Sequence, residues 1–492
     1  MSTQATQTDS DTYTVVIGLE VHVQLETDTK IFCGCSTEPA DEPNTHTCPV
    51  CLGLPGALPV LNEAAVEAAV KVGKALDSNI PEETRFHRKN YYYPDLPKNF
   101  QITQYDNPIC QGGTLEISHQ DERREIGIRR AHLEEDPGSL QHVGGSIDTA
   151  DYTLVNYNRA GTPLLEIVTE PDFRDPEEVR AFLAKLEEVL EYLGVFDASR
   201  DGSLRVDANI SLIEGDHNTI ESETLEEANR TEVKNISSHK GAEKALSYEV
   251  TRQKNALSRG RAIDQETRHW DESKGITVSM RSKEEEKDYR YFEEANLPPL
   301  QVSDWKDKLS IPELPDARRE RFQEEYDIDA ESADKLTTTK QVADFFEATA
   351  DEFDPGLAAT WVADTLLGEL HYRDMIITDV DDRFDEFRRL IELVDNEEIT
   401  EKNAREVVLR TMLDEQKDPD TIVDEEGLGK TDDDAVAAAV TEAVNENPQA
   451  VEDYRSGEGD ALNYLVGQVM QKTGGSADPQ TVNQLLREEL AD

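Results

Sequence analysis

The apolar residues of this chain change their period near residue 295, and that change limits what the chain can fold into. Before it, short runs alternate apolar and polar residues: 13–26 (YTVVIGLEVHVQLE), 114–118, 124–134, 152–158, 164–168 and 204–212. A period of two marks a strand with one buried face. Helical patterns interrupt the runs at about 63–77, 176–194 and 239–257. The second opens on Asp175-Pro176-Glu177-Glu178, an N-terminal helix signal, and closes near Gly194. After Asn296-Leu297-Pro298-Pro299-Leu300 the period becomes helical, over 315–326, 330–352, 356–369, 382–395 and 398–415. The expected fold class is α+β. A leader without order (1–12) precedes a catalytic body over 13–295. A helical domain over 296–415, a charged linker over 416–432 and a small helical domain over 433–492 follow.

The chain has 105 acidic and 50 basic residues among 492, a net charge of -55. Such a surface repels itself in dilute buffer. At ~1 M salt the Debye length falls to about 3 Å, which screens the repulsion. The acidity reads as adaptation to molar salt; the alternative is an acidic protein of an ordinary cell. Taken whole, the charge argues against nucleic acid. Its distribution does not. Residues 401–450 hold 5 basic and 14 acidic residues, whereas 81–130 hold 8 of each and 231–300 hold 13 of each. Those two balanced stretches are where a polyanion would bind. The polar N-terminus and the lack of any long apolar run point to a cytoplasmic protein with no membrane segment.

Four of the five cysteines form two close pairs, Cys33-Gly-Cys35 and Cys48-Pro-Val-Cys51. Four thiolates in this spacing suit a structural, tetrahedral zinc; the alternative is four unliganded thiols. His46 can stand in for one thiolate, Gly34 and Gly53 ease the turns, and Cys110 stands apart as a buried thiol.

Several carboxylates fall on strand-like runs flanked by apolar residues. Glu20 and His22 share one face, as do His132 and Glu134. Glu166 and Asp207 lie in PLLEIV and LRVDANI. Carboxylates converging beside a histidine suit Mg²⁺, and Mg²⁺ implies phosphate chemistry. For each residue alone the alternative is an exposed strand carboxylate, common in so acidic a chain. No GxxxxGK[ST] loop is present. The segment from Arg88 to Gln101 interleaves cations with aromatics, as surfaces that stack bases and meet phosphates do. Lys89 in it, with Arg281, Lys283 and Arg290 in MRSKEEEKDYRY, are candidate cations for a triphosphate or a tRNA end; a packed or solvated turn is the alternative for each segment. Lys234-Asn235-Ile-Ser-Ser-His239 opens a helix and offers backbone N–H groups to an anion.

In order along the chain stand IGLEVHVQL, the cysteine cluster, RKNYYYPDLPKNFQITQY, HLEEDPG, NRAGTPLLEIVTEPD, LRVDANIS, TEVKNISS, ETRHWDE and MRSKEEEKDYRYF. Together they resemble the GatB family, the tRNA-binding, ATP-using component of tRNA-dependent amidotransferases. The resemblance covers the chain from about residue 13 to its end, where the tail is similar to a YqeY-like helical domain. It implies a glutamine-synthetase-like cradle followed by helical domains that bind tRNA. It implies partners, an amidase A subunit and a small C subunit. It implies that ATP phosphorylates the side-chain carboxylate of Asp or Glu on a mischarged tRNA, and that ammonia from glutamine then displaces phosphate. On the matching motifs Glu20, His22, Glu134, Glu135 and Glu166 would form the catalytic cradle, with Glu20, His22 and Glu134 on magnesium. Asp207 and Asn209 are weaker candidates. A non-catalytic, zinc-stapled tRNA-binding scaffold is the rival reading.

Overall fold

A computed structural model describes residues 13–120, 122–144, 150–200, 202–215, 229–282, 289–429, 433–456, 460–474, 477 and 479–491. The leader, Lys283 and residues 430–432 of the expected linker lie outside them. The chain forms two compact units, Met1–Leu314 and Pro315–Asp492.

The first unit is built on a twelve-stranded sheet. Ten strands form its path: β1 (Tyr13–Gln24), β2 (His87–Asn90), β3 (Phe100–Thr103), β4 (Glu122–Glu135), β5 (Pro163–Thr169), β6 (Leu204–Glu214), β7 (Thr231–Ile236), β8 (Glu266–Asp271), β9 (Ile276–Ser282) and β10 (Phe292–Glu293). Their order is β9-β8-β7-β6-β1-β5-β4-β3-β2-β10. Alternation makes the two faces unlike. Leu19, Val21 and Val23 of β1 are buried, with Leu133, Leu165, Ile167, Val206, Ala208 and Ile210 of neighbouring strands. Each such side chain contributes about 1.5–3 kcal/mol by leaving water.

Three helices share that core: α1 (Glu63–Ala75), α2 (Pro176–Tyr192) and α3 (His239–Leu257). Helix α2 starts where the sequence signals, with Asp175 and Glu178 forming a capping box around Pro176. The helices occupy the apolar face, so the residues one step along each strand face away from them.

The first unit runs past residue 295. Leu300–Gln301 pairs with Glu83–Thr84, and Val302 is buried in the same core, which ties the segment up to Leu314 to the body. In the second unit, one apolar core gathers residues from Phe322 to Leu428 and another from Val436 to Leu490. Part of the expected linker is structured: Pro419–Glu426 is a helix, and Ile422 is buried in the first of these cores. Gly427, at φ 64°, ends that helix in the left-handed conformation that glycine adopts without steric cost.

Candidate active site and thiol cluster

The strand register assembles the polar face. His22 on β1 lies opposite Glu166 on β5, and Glu166 lies opposite His132 on β4. Glu134 follows two residues after His132 and lies opposite Thr103 on β3. The Nδ1 atom of His22 is 3.4 Å from Glu134 and 3.9 Å from Glu166; Nε2 of His132 is 3.8 Å and 3.7 Å from the same two carboxylates. Two histidines thus bracket two carboxylates. One donor atom each from His22, Glu134 and Glu166 lies within 4.8 Å of the others.

Burial sets the electrostatics. The side chains of Glu134 and Glu166 are 4% and 9% exposed. Burial alone would raise Glu134, but His132 and His22, with Lys89 beyond them, outweigh it and hold the carboxyl well below its usual range. Burial alone would depress His22; its bond with Glu134 and the charges of Glu166, Glu134 and Asp207 overcome this and raise it to about 9. The two effects are one ion pair seen from both ends: His22 gains its proton against Glu134 and Glu166, and Glu134 keeps its charge against His22, His132 and Lys89. A divalent ion entering there would compete with the His22 proton for the same charge. Carboxylate oxygens of Glu134 and Glu166 with one ring nitrogen of His22 make a hard donor set that fits such an ion.

Glu20 lies on the same face, opposite Asp207, but outside this trio; the converging third group is Glu166. Asn209 donates to Glu20 at 3.3 Å. Burial, then the charge of Glu166, pushes the Glu20 carboxyl up. Beyond it Lys234 pairs with Asp207 and, at 3.0 Å, with Glu232.

The cysteines meet on the loop after β1. All four sulfurs lie within 4.8 Å of one another, with Cys48 and Cys51 at 3.9 Å. A Zn–S bond near 2.3 Å sets sulfurs roughly 3.8 Å apart around a tetrahedral ion, so the set fits a structural metal. His46 lies outside the set; its backbone carbonyl accepts from Lys30 at 2.7 Å. Gly53 has φ 66°, and a Cβ there would meet Lys98 at 2.3 Å, so the loop needs this glycine; Gly34 has open space around it. Cys110 is buried, and burial pushes its thiol up to about 12.

Residues 15–306 match the GatB/GatE catalytic domain family, and residues 344–490 match a GatB domain family. The chain is 77% identical, over 97% of both chains, to the B subunit of the aspartyl/glutamyl-tRNA(Asn/Gln) amidotransferase of Natronomonas pharaonis. It is 72% identical to that of Halobacterium salinarum over 100% of both, and 54% identical to that of Methanospirillum hungatei over 96% of this chain and 98% of the other. The chain belongs to the GatB family. A catalytic-domain match supports an amidotransferase component and not a bare scaffold. The haloarchaeal relatives agree with the acidity, and the family implies use of ATP within a multi-subunit enzyme acting on tRNA.

The remaining candidates separate. Glu135 points to the opposite side of β4 from Glu134. There Lys98 holds it at 2.5 Å, and the backbone N–H of Ile102 donates to it at 2.7 Å. It lines a cavity of about 190 Å³ between the thiol loop and the sheet, with Lys30, Cys51, Arg88 and Glu294. Lys89 stays with the trio. Burial would depress it, but the charges of Glu134, Tyr291 and Glu166 outweigh burial and raise it. Arg281 lies on β9, opposite Thr267 and four strands from β1. Arg290 joins the Lys89 region through its backbone, whose carbonyl accepts from Asn90 at 2.8 Å. Sequence reasoning passes over His132 as a partner of both carboxylates. Its alternation with Glu134 is visible in the sequence; its pairing with Glu166 needs the register. No helix among the described residues is long and apolar enough to cross a membrane.

Proposed function

We propose that this chain activates the side-chain carboxylate of Asp on tRNA(Asn), or of Glu on tRNA(Gln), by ATP-dependent phosphorylation, and that ammonia from glutamine then gives the amide. A carboxylate is a poor electrophile because oxide would have to leave. Its oxygen attacks the γ-phosphorus, ADP departs, and the acyl phosphate carries a good leaving group. Ammonia adds at the acyl carbon, phosphate leaves, and one proton is shed. Glu20, raised by burial and Glu166, suits the base that takes it.

The observation that carries this reading is the convergence of half-buried His22 with buried Glu134 and Glu166 beside a charged Lys89. Magnesium held by the trio would neutralise charge on the transferring phosphoryl group. Lys89 offers a fixed positive charge to phosphate oxygens. The thiol cluster would hold zinc and fix the loop. The amidase A subunit supplies ammonia, a small C subunit completes the complex, and the YqeY-like tail grips tRNA, all in the cytoplasm.

The test is amidation by the reconstituted three-subunit complex in molar KCl, with ATP, glutamine and each mischarged tRNA. Amide formation that requires ATP supports the reading. No amide on either tRNA refutes it.

A further inference from the structure

Lys89 has tyrosines around it. Its ammonium lies 5.0 Å from the ring centre of Tyr289 and 6.0 Å from that of Tyr91. Tyr289 meets Tyr291 edge to face at 6.1 Å. Tyr291 in turn stacks on Tyr105, with centroids 4.0 Å apart and ring planes 9° apart. The backbone produces this. Phe292 pairs with Arg88, so Tyr291 comes opposite Lys89. Thr103 pairs with Glu134, and Tyr105 follows two residues later. The stack therefore stands on segments that adjoin strands β2, β3 and β10 of the sheet, where Tyr291 feels the charges of Lys89, Glu166 and Glu134.

Packing alone does not account for it. None of Tyr91, Tyr105, Tyr289 and Tyr291 joins the apolar core beneath the sheet. Tyr105 is 52% exposed although its partner ring lies flat against it. A half-open ring with a second ring behind it is how single-stranded nucleic acid binders present a face to a base. Lys89 reaches the stack through Tyr289 and stands among Glu134 and Glu166, so a base on the stack would turn its phosphate toward the site.

We propose that Tyr105, backed by Tyr291, is the stacking platform for an adenine ring. The inference rests on the reaction proposed above, which brings two adenines to this face: that of ATP and that of the tRNA 3′-terminal adenosine carrying the amino acid. The chemistry of recognition is the same for both, and the experiment separates them.

The three-subunit complex is prepared with Tyr105→Ala, Tyr105→Leu and Tyr105→Phe. Binding of labelled ATP is measured by equilibrium dialysis, and binding of mischarged tRNA by filter retention, alongside KM and kcat for each. Loss of the ring weakens one ligand roughly tenfold, since a stacked base contributes strongly and without sequence preference. The other ligand stays within about twofold. The change appears in KM and not in kcat, and Phe restores it. A fall in tRNA affinity assigns the platform to the terminal adenosine; a fall in ATP affinity assigns it to the nucleotide. Leu keeps bulk without a ring and guards against misfolding of the Ala variant. If Ala and Leu both leave both affinities within twofold, the platform is wrong while the reaction stands. If the unaltered complex binds neither ligand, both fall.

Discussion

Two groups of side chains in the first unit each bring donor atoms within 4.8 Å, and they differ in almost every other respect. The four thiols sit on one loop, contributed by residues 33 to 51. The histidine and carboxylates come from three different strands, joined only by register. The thiols are soft donors that fill a tetrahedron and leave no open position. The trio is hard, has three donors and leaves positions free for phosphate oxygens. Charge is arranged differently too. A hydrogen bond from Cys33 draws Cys51 down to about 4, while the same bond pushes Cys33 up. In the trio, the Glu134 carboxyl is held down and the histidine is raised instead. A loop that closes on itself can hold an ion for structure. A rigid sheet can hold an incomplete shell for chemistry.

The sharpest way to break this contrast is Glu134→Gln. The amide keeps the shape but removes the buried charge shared by His22, His132 and Lys89. Amidation should fall about 10²–10³-fold, the scale seen when one preorganised electrostatic group is lost. Circular dichroism should remain native. An unaltered rate would show that the trio is an ordinary buried ion network.

Much of the comparison is legible in the sequence, for different reasons in each case. The thiol spacing is local, so numbering alone groups Cys33, Cys35, Cys48 and Cys51. Alternation puts Glu20 with His22 and His132 with Glu134, because strand period fixes a face without knowledge of partners. What alternation cannot give is the neighbour across the ladder. Glu166 is the third member, in place of Glu20, because β5 lies between β1 and β4. Glu135 shows the same limit from the other side: adjacent to Glu134 in sequence, it necessarily points the opposite way. The prolines of Asn296-Leu297-Pro298-Pro299 signal a break, yet Val302 beyond them is buried with the body. Long-range burial of one side chain outweighs a local turn signal.

A smaller effect sharpens the trio's boundary. Asn209 contacts Glu20 at 3.3 Å and has no place among the converging atoms. If it only orients Glu20, Asn209→Ala should lower amidation about tenfold, within the range found for outer-shell partners. The measurement is single-turnover rate in molar KCl. A loss as large as that of Glu134→Gln would show that Asn209 acts on the reacting groups directly and not only through Glu20.

The smallest expected effect on rate belongs to Cys48→Ser. Cys48 lies on the loop beside Cys51, whereas the trio is carried by the strands of the sheet. Its loss should take bound metal from about one ion per chain to about none, read by elemental analysis, because the three remaining thiols no longer complete the tetrahedron that holds the ion. The loop over residues 33–51 should then be cut faster by protease, while kcat in molar KCl stays within about threefold, since a structural ion fixes the loop and takes no part in the chemistry. Metal retained at one per chain would refute the thiol site. Metal lost together with a hundredfold fall in kcat would erase the distinction between a structural cluster and a chemical one.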